Sequence, residues 1–290
     1  MLGREEIRLA VRSGRQSHGV GRRRARPARE GDRVTVELRR SLATVWTKPE
    51  VARVYRYRPE YPSAVFDILR RLIIAPRTVL DAGCGTGALT RHLVDLAARV
   101  DAVDPSAAMI EEARHLPGGG DSRIRWIVAS AETAPLDPPY GLITTGQSLH
   151  WMDHGIVMPR FHDALAPGGR LVATDIDWVY PPAWRDALVG IIKRYSPVKS
   201  PFVTDLFGDL VQRGLFERAG FQRTSLVPVE LSIEDFVAAL HSTSSLSQVT
   251  LGDRASAFAD EVRALFARLQ EDPVRFAVAG NVVWGRPLRG

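Results

Sequence analysis

The stretch VLDAGCGTGALTRHL, residues 79–93, sets three glycines within five positions directly behind an apolar run that ends at Asp81. An apolar run, a glycine turn and a helical pattern that begins inside the turn predict a strand–loop–helix unit whose bare backbone meets a ligand. A Cβ at Gly83 or Gly85 is expected to occupy the space that the ligand needs. A lone glycine-rich turn carries little weight, so the reading depends on what surrounds it.

Downstream, ARVDAVD reads as a second strand ending on Asp104, and PSAAMIEEARHL as a helix. IRWIVAS, GLITTGQS and RLVATDID continue as strands, with the helix GIVMPRFHDAL ahead of the last, stopped by APGG. Upstream, PSAVFDILRRLI carries Val65, Ile68, Leu69 and Leu72 at helical spacing. Strands alternating with helices over 75–177 imply βαβ units, hence a parallel sheet covered on both faces. In such a sheet the ligand lies across the carboxyl ends of the strands, which puts Asp81, Asp104, Glu132 and Gln147 on one edge. A carboxylate at the position of Asp104 can accept both hydroxyls of a ribose, so a ligand containing adenosine or something close to it is expected. After Asp177 the alternation fails. Helices are expected near 205–219, 233–241 and 254–270, with strands near 222–231 and 274–284 that close the same sheet. The division expected is a basic tail at 1–43 and one domain at 44–290, with 178–221 and 232–272 as a helical cover.

The chain has 290 residues, of which 45% are hydrophobic, enough for a sizeable core. No apolar run approaches a membrane span, and the Arg-rich start lacks the apolar segment of a secretory signal, so the chain reads as cytoplasmic. A single cysteine, Cys84, leaves no internal disulfide and no multi-cysteine metal site. The net charge of +6 is misleading, because residues 1–40 hold twelve Arg against five acids, leaving the remainder about neutral. GRRRARPAR, residues 21–29, reads either as a nucleic-acid arm or as a solvated tail. Without interleaved aromatics it carries only the nonspecific electrostatic contribution, and nucleic acid is not the expected partner. Residues 1–33 also admit a third reading, as sequence upstream of the true start, since Glu30-Gly31 implies a purine-rich run like a ribosome-binding site.

The loop GCGTG, opened by Asp81, departs from the G-x-G-x-x-G of nicotinamide enzymes and closely resembles motif I of the class I S-adenosylmethionine-dependent methyltransferases. The resemblance runs over roughly 50–177 and implies a Rossmann-like α/β fold with a seven-stranded, mostly parallel sheet. It implies S-adenosylmethionine as cofactor, with Asp81, Gly83, Gly85 and Gly87 against its methionine and ribose portion. Asp104 would hold the ribose, while Ala131 and Glu132 in ASAETAPL would meet the adenine edge. GQSLHWMD, residues 146–153, is similar to the same region of methyltransferases acting on small organic acids, which implies a small-molecule acceptor and transfer to a carboxylate or hydroxyl oxygen. There Gln147 would border the cofactor, with His150 and Trp151 facing the acceptor. For His150 two readings stand: a base that takes the proton of a hydroxyl acceptor, or a helix-start or core histidine. A carboxylate acceptor needs no base. YRYRPEYP, residues 55–62, resembles the segment that closes over the cofactor, where Arg58 would meet the methionine carboxylate or remain a surface residue.

Two details cut across this reading. DPPY, residues 137–140, is the tetrapeptide with which amino-methylating nucleic-acid enzymes grip an exocyclic nitrogen. It stands before the strand GLITT rather than after it, and so on the wrong edge of the sheet. The family usually shows an acid after the aromatic at the start of the fourth strand, where this chain has Gly141.

Overall fold

The computed structural model describes residues 41–198 and 205–290. The expected basic tail therefore lies outside the described residues, apart from 41–43, which are helical and bury Leu42. No helix among the described residues is long and apolar enough to cross a membrane.

Five strands form the parallel half of the sheet: β1 (Thr78–Ala82), β2 (Arg99–Asp104), β3 (Ile124–Val128), β4 (Tyr140–Gly146) and β5 (Leu165–Val179). Their order is β3-β2-β1-β4-β5, so the direction of winding reverses between β1 and β4. β1, β2 and β4 are buried along almost their whole length, as strands covered on both faces must be. The helix Ser63–Leu72 seals one face with Val65, Ile68 and Leu69, and the helix His154–Ala164 seals the other with Val157, Met158 and Phe161. β8 (Val274–Pro287) runs antiparallel to β5 and closes the sheet.

The outer edge differs from the seven strands expected. β6 (Phe216–Arg223) and β7 (Val227–Leu231) lie end to end along β8, so that eight strands occupy seven positions. Between them Thr224 replaces ladder pairing with its own bonds, Thr224 N to Gly280 O and Gly280 N to Thr224 Oγ1, both 2.9 Å. The helix expected over 205–219 stops at Gln212. Gly214 turns left-handed (φ +70°), and Leu215 N donates back to Leu210 O at 2.9 Å, a glycine-terminated helix end. Within the span 178–221 the helix Leu206–Gln212 packs Leu206 and Leu210 into the main core, so the cover proper is built from Pro182–Tyr195, Ile233–His241 and Ala255–Leu269. The aromatics there, expected to line a lid, pack mainly on one another: the Trp184 ring lies 5.1 Å from both Tyr180 and Phe266.

DPPY sits at the amino ends of the strands. Tyr140, fully buried, donates its hydroxyl to Asp101 at 2.6 Å and accepts from Asp137 N at 2.9 Å. Arg125 takes both oxygens of Asp101, at 3.1 and 2.8 Å, and Arg99 pairs with Asp137. The tetrapeptide is thus spent on a buried polar knot. A Cβ on Gly141 would stand 2.1 Å from Ile74 O, so the backbone of the preceding loop occupies the room that the family's usual acid would need. Tyr140→Phe should lower the unfolding free energy by about 1–3 kcal/mol in urea titrations, since it leaves a buried acceptor and a donor short of a partner. Ligand affinity at the opposite edge should be unchanged, and a drop there would show that the two edges are coupled.

Candidate active site

At the carboxyl edge the glycine loop is folded over the end of β2, with Gly83 N and Cys84 N both donating to Val103 O at 2.8 and 3.0 Å. That tight reversal drives Gly83, Gly85 and Gly87 to φ of +70°, +54° and +76°, where side chains other than hydrogen are strained. The three glycines serve different ends. A Cβ on Gly83 would lie 2.5 Å from Ser148 Cβ, and one on Gly87 2.7 Å from the Trp126 ring, so both are bare for packing. A Cβ on Gly85 would meet nothing within 4 Å. The expectation that Gly83 and Gly85 both clear space for a ligand therefore holds for Gly85, while Gly83 makes room for the Ser148 side chain, whose hydroxyl donates to Ala82 O at 2.7 Å.

Asp104 ends β2 beside this opening. Its Oδ2 accepts from Gly85 N and its Oδ1 from Ser106 N, each at 2.8 Å. Burial pushes its carboxyl above the usual range, against the pull of those two N–H groups. Each oxygen has spent one lone pair and retains one, which is the capacity a vicinal diol requires. Ser106 Oγ caps the helix Ala107–His115 by accepting from Met109 N and donates to Trp46 O at 2.6 Å, tying the chain before the first strand to this wall. The first cavity, about 270 Å³, lies between Asp104, Met109, Ala131, Glu132, Trp46 and Trp151.

A second cavity of about 290 Å³ shares Gly83, Gly85, Gly146 and Gln147 with the first, and so continues the same cleft. Asp81 is in its wall, 1% exposed, accepting from Thr90 Oγ1 at 2.6 Å and Thr144 Oγ1 at 2.9 Å. Burial outweighs both hydroxyls and pushes its carboxyl up to about 6. Arg58 lies across the cleft, donating to Gln147 Oε1 at 2.8 Å and to Tyr55 OH at 2.6 Å. Gln147 takes a left-handed turn (φ +53°) and anchors to β5 through its N–H to Thr174 O at 2.9 Å. Buried Cys84 also borders this cavity, where burial raises its thiol well above its ordinary value.

Glu132 reaches the loop after β4, accepting from Asp153 N at 2.9 Å. Trp151 lines the first cavity, whereas His150 lies outside the walls of both, its ring 4.9 Å from that of Trp151. The structure thus gathers Asp81, Gly83, Gly85, Asp104, Ala131, Glu132, Gln147, Arg58 and Trp151 around one cleft, sets Gly87 behind it and His150 beside it. Sequence reasoning missed Trp46, and named the segment 55–62 without singling out its Tyr55 and Tyr61; all three complete the walls. Their one signal was an aromatic-rich segment ahead of the first strand.

Comparison with known proteins agrees with this geometry. Residues 79–169 match the family described as Methyltransferase domain. Over 118 residues the chain is 39% identical to an uncharacterized methyltransferase of Mycobacterium bovis, covering 40% of this chain and 46% of that protein. It is 36% identical over 118 residues to trans-aconitate 2-methyltransferase of Pseudomonas aeruginosa, covering 40% of this chain and 39% of that enzyme. The malonyl-[acyl-carrier protein] O-methyltransferase of Anoxybacillus flavithermus is 38% identical over 87 residues, 29% of this chain and 33% of that enzyme. The chain thus matches less than half the length of these curated relatives. A solved structure from Anaeromyxobacter dehalogenans, provisionally assigned as a type II methyltransferase, superposes with a TM-score of 0.61 at 25% identity, over 80% of this chain and 99% of that one. The matched segment 79–169 contains the loop after β1 and the acid after β2 that build the described cleft, and over it the chain is similar to the class I S-adenosylmethionine-dependent methyltransferases.

Proposed function

We propose that this protein transfers a methyl group from S-adenosylmethionine to an oxygen, carboxylate or hydroxyl, of a small metabolite. The observation that carries the reading is the pairing of Gly85 with Asp104: backbone with open space where a Cβ would stand, beside a carboxylate with one lone pair free on each oxygen. These residues fit the ribose of the cofactor, and Ala131, Glu132 and Met109 fit its adenine. Asp81, Arg58 and Gln147 surround the remaining cavity, with a cation present for a carboxylate and an anion for an ammonium. When bound, the cofactor supplies an electrophilic methyl on a sulfonium sulfur. The chain's part is alignment, which can supply about 7–11 kcal/mol of barrier reduction. The names of the P. aeruginosa and A. flavithermus relatives support a small or carrier-bound acid acceptor. His150 is the residue proposed from sequence as a base; its place beside Trp151 favours holding that ring against the cavity.

Mass spectrometry of a metabolite extract incubated with the protein and methyl-labelled cofactor tests the reading: a labelled product is expected, and none from any acceptor would leave a cofactor-binding protein without turnover. Asp104→Ala should weaken S-adenosylhomocysteine binding in calorimetry by about tenfold or more, given roughly 1.5–3 kcal/mol for a hydrogen bond to a charged acceptor. The glycines should separate stability from binding. Gly83→Ala should cost about 2–4 kcal/mol, from left-handed strain plus overpacking on Ser148. Gly85→Ala should cost only about 1–2 kcal/mol in stability, the strain alone, while losing cofactor affinity. Equal affinity in Gly85→Ala and the parent chain would remove Gly85 from the site.

A further inference from the structure

Gly146, the last residue of β4, does not take a left-handed φ, so its missing side chain answers to space rather than to backbone strain. A Cβ there would stand 2.8 Å from the Tyr61 hydroxyl and 2.9 Å from Leu89 Cδ1. The phenol oxygen of Tyr61 therefore rests on bare backbone at the carboxyl end of β4, where both residues line the second cavity. The Tyr61 ring packs on the core cluster that contains Leu69, Leu89 and Leu142, which anchors the hydroxyl at its tip. Pro59 and Pro62 stiffen the segment on either side.

Directly opposite Gly146 in the β4–β5 ladder stands Thr174. Alternation along β5 turns its side chain to the face of Ile176, a wall residue of the same cavity, and away from Asp175. Thr174 is 1% exposed, and its Oγ1 is a buried polar atom without a hydrogen-bond partner of good geometry among the described residues. A hydroxyl left in that state is costly unless something completes it. The group it acts on is the Tyr61 phenol. Burial holds that phenol well above its ordinary value, against the pull of the Thr174 hydroxyl, so Tyr61 keeps its proton and serves as a donor rather than a base. With the Thr174 proton turned toward the phenol oxygen, the Tyr61 proton is left to point into the cavity. Arg58 adds a positive charge to the same wall and acts on the phenol, while Asp175 opposes it from the other face of β5.

We propose that the Tyr61 hydroxyl, oriented by Thr174 and reinforced by Arg58, is the donor that fixes a ligand carboxylate at the carboxyl end of β4. The inference rests on the methyltransferase reading above and adds a binding group to that same site. Tyr61 touches the ligand; Thr174 acts through Tyr61 and is a positioning residue. A carboxylate suits this set because it accepts from a hydroxyl and a guanidinium together and needs no proton removed. Two molecules can bring one to this place: the cofactor, on its amino-acid arm, and an acid acceptor. Asp81 lies in the wall of the same cavity, at the end of the neighbouring strand β1. It favours the first source, since an α-amino acid carries an ammonium beside its carboxylate.

Calorimetry with two ligands tests this. S-adenosylhomocysteine has the amino-acid arm and 5′-methylthioadenosine lacks it, while both carry the adenosine. Tyr61→Phe should weaken S-adenosylhomocysteine by about tenfold or more, the scale of one hydrogen bond to a charged acceptor, and leave methylthioadenosine within about threefold of the parent. Thr174→Val should move the same way by a smaller factor, and Thr174→Ser, which restores the hydroxyl, should bind as the parent does. Melting gives a readout free of ligand: Val removes a buried hydroxyl that lacks a partner, so Thr174→Val should melt at or above the parent. Melting well below the parent would mean that the fold already satisfies this hydroxyl, and the proposal falls. Should Tyr61→Phe keep parental affinity for S-adenosylhomocysteine, the carboxylate is the acceptor's. Labelled product from a metabolite extract is then an alkali-labile methyl ester, formed by Tyr61→Phe about tenfold more slowly or worse. Parental affinity with parental labelling or with an alkali-stable product, or equal losses for both ligands, overturns the assignment of Tyr61 and leaves the methyltransferase reading intact. Failure of the parent to bind either ligand overturns that reading and the proposal with it.

Discussion

The clasp between Asp104 and the backbone N–H groups of Gly85 and Ser106 is the constraint on which the cleft depends. Those two bonds, with Gly83 N and Cys84 N on Val103 O, fasten the loop after β1 to the end of β2. The loop cannot relax outward without stripping a buried carboxylate of its donors, so its left-handed glycines are held in place by what they coordinate. On the other side Ser148 fills the space beside Gly83 and bonds Ala82 O, fastening the same loop to the segment after β4. The opening at Gly85 thus lies between two anchored neighbours, a preformed site that needs little ordering when a ligand arrives.

The two edges of the sheet divide the work. At the amino ends, Asp101, Arg125, Tyr140 and Asp137 neutralise and satisfy one another. At the carboxyl ends, Asp81, Asp104 and Asp175 are all raised by burial, and Arg58 stands in the wall of the second cavity, bonded to Gln147. The same residue types are therefore structural on one edge and available on the other, the difference being whether a guanidinium stands within bonding distance. This is why DPPY, suggestive as a string, has no free group to offer an acceptor.

The glycine loop, the acid at 104 and the strand–helix alternation were legible because each is a local pattern with a single geometric solution. The break at Thr224 and the stop at Gly214 carried signals too, a polar Gln-Arg-Thr-Ser run within the strand pattern and a glycine after a helical run. They were outweighed by the apparent continuity of helix over 205–219 and strand over 222–231. The helix after the glycine loop is shorter than its pattern, Thr90–Leu93, because the turns up to Ala97 alternate between three- and four-residue hydrogen bonds. What the sequence hid was tertiary. Nothing in the segment around Trp46 announces that its carbonyl receives Ser106 Oγ, and nothing in the aromatic content of the cover shows that the rings pack on each other rather than on a substrate.

That packing bears on which groups wall the cleft. With Trp184, Phe236 and Phe266 committed to the core of the cover, the second cavity is walled by the sheet edge and the segment that carries Arg58 and Tyr61. These walls are polar at fixed points rather than uniformly apolar: Arg58 and the carboxylate of Asp81 stand among Tyr55, Tyr61, Leu89 and Ile176, so a ligand there meets a cation and a buried acid set in apolar surface.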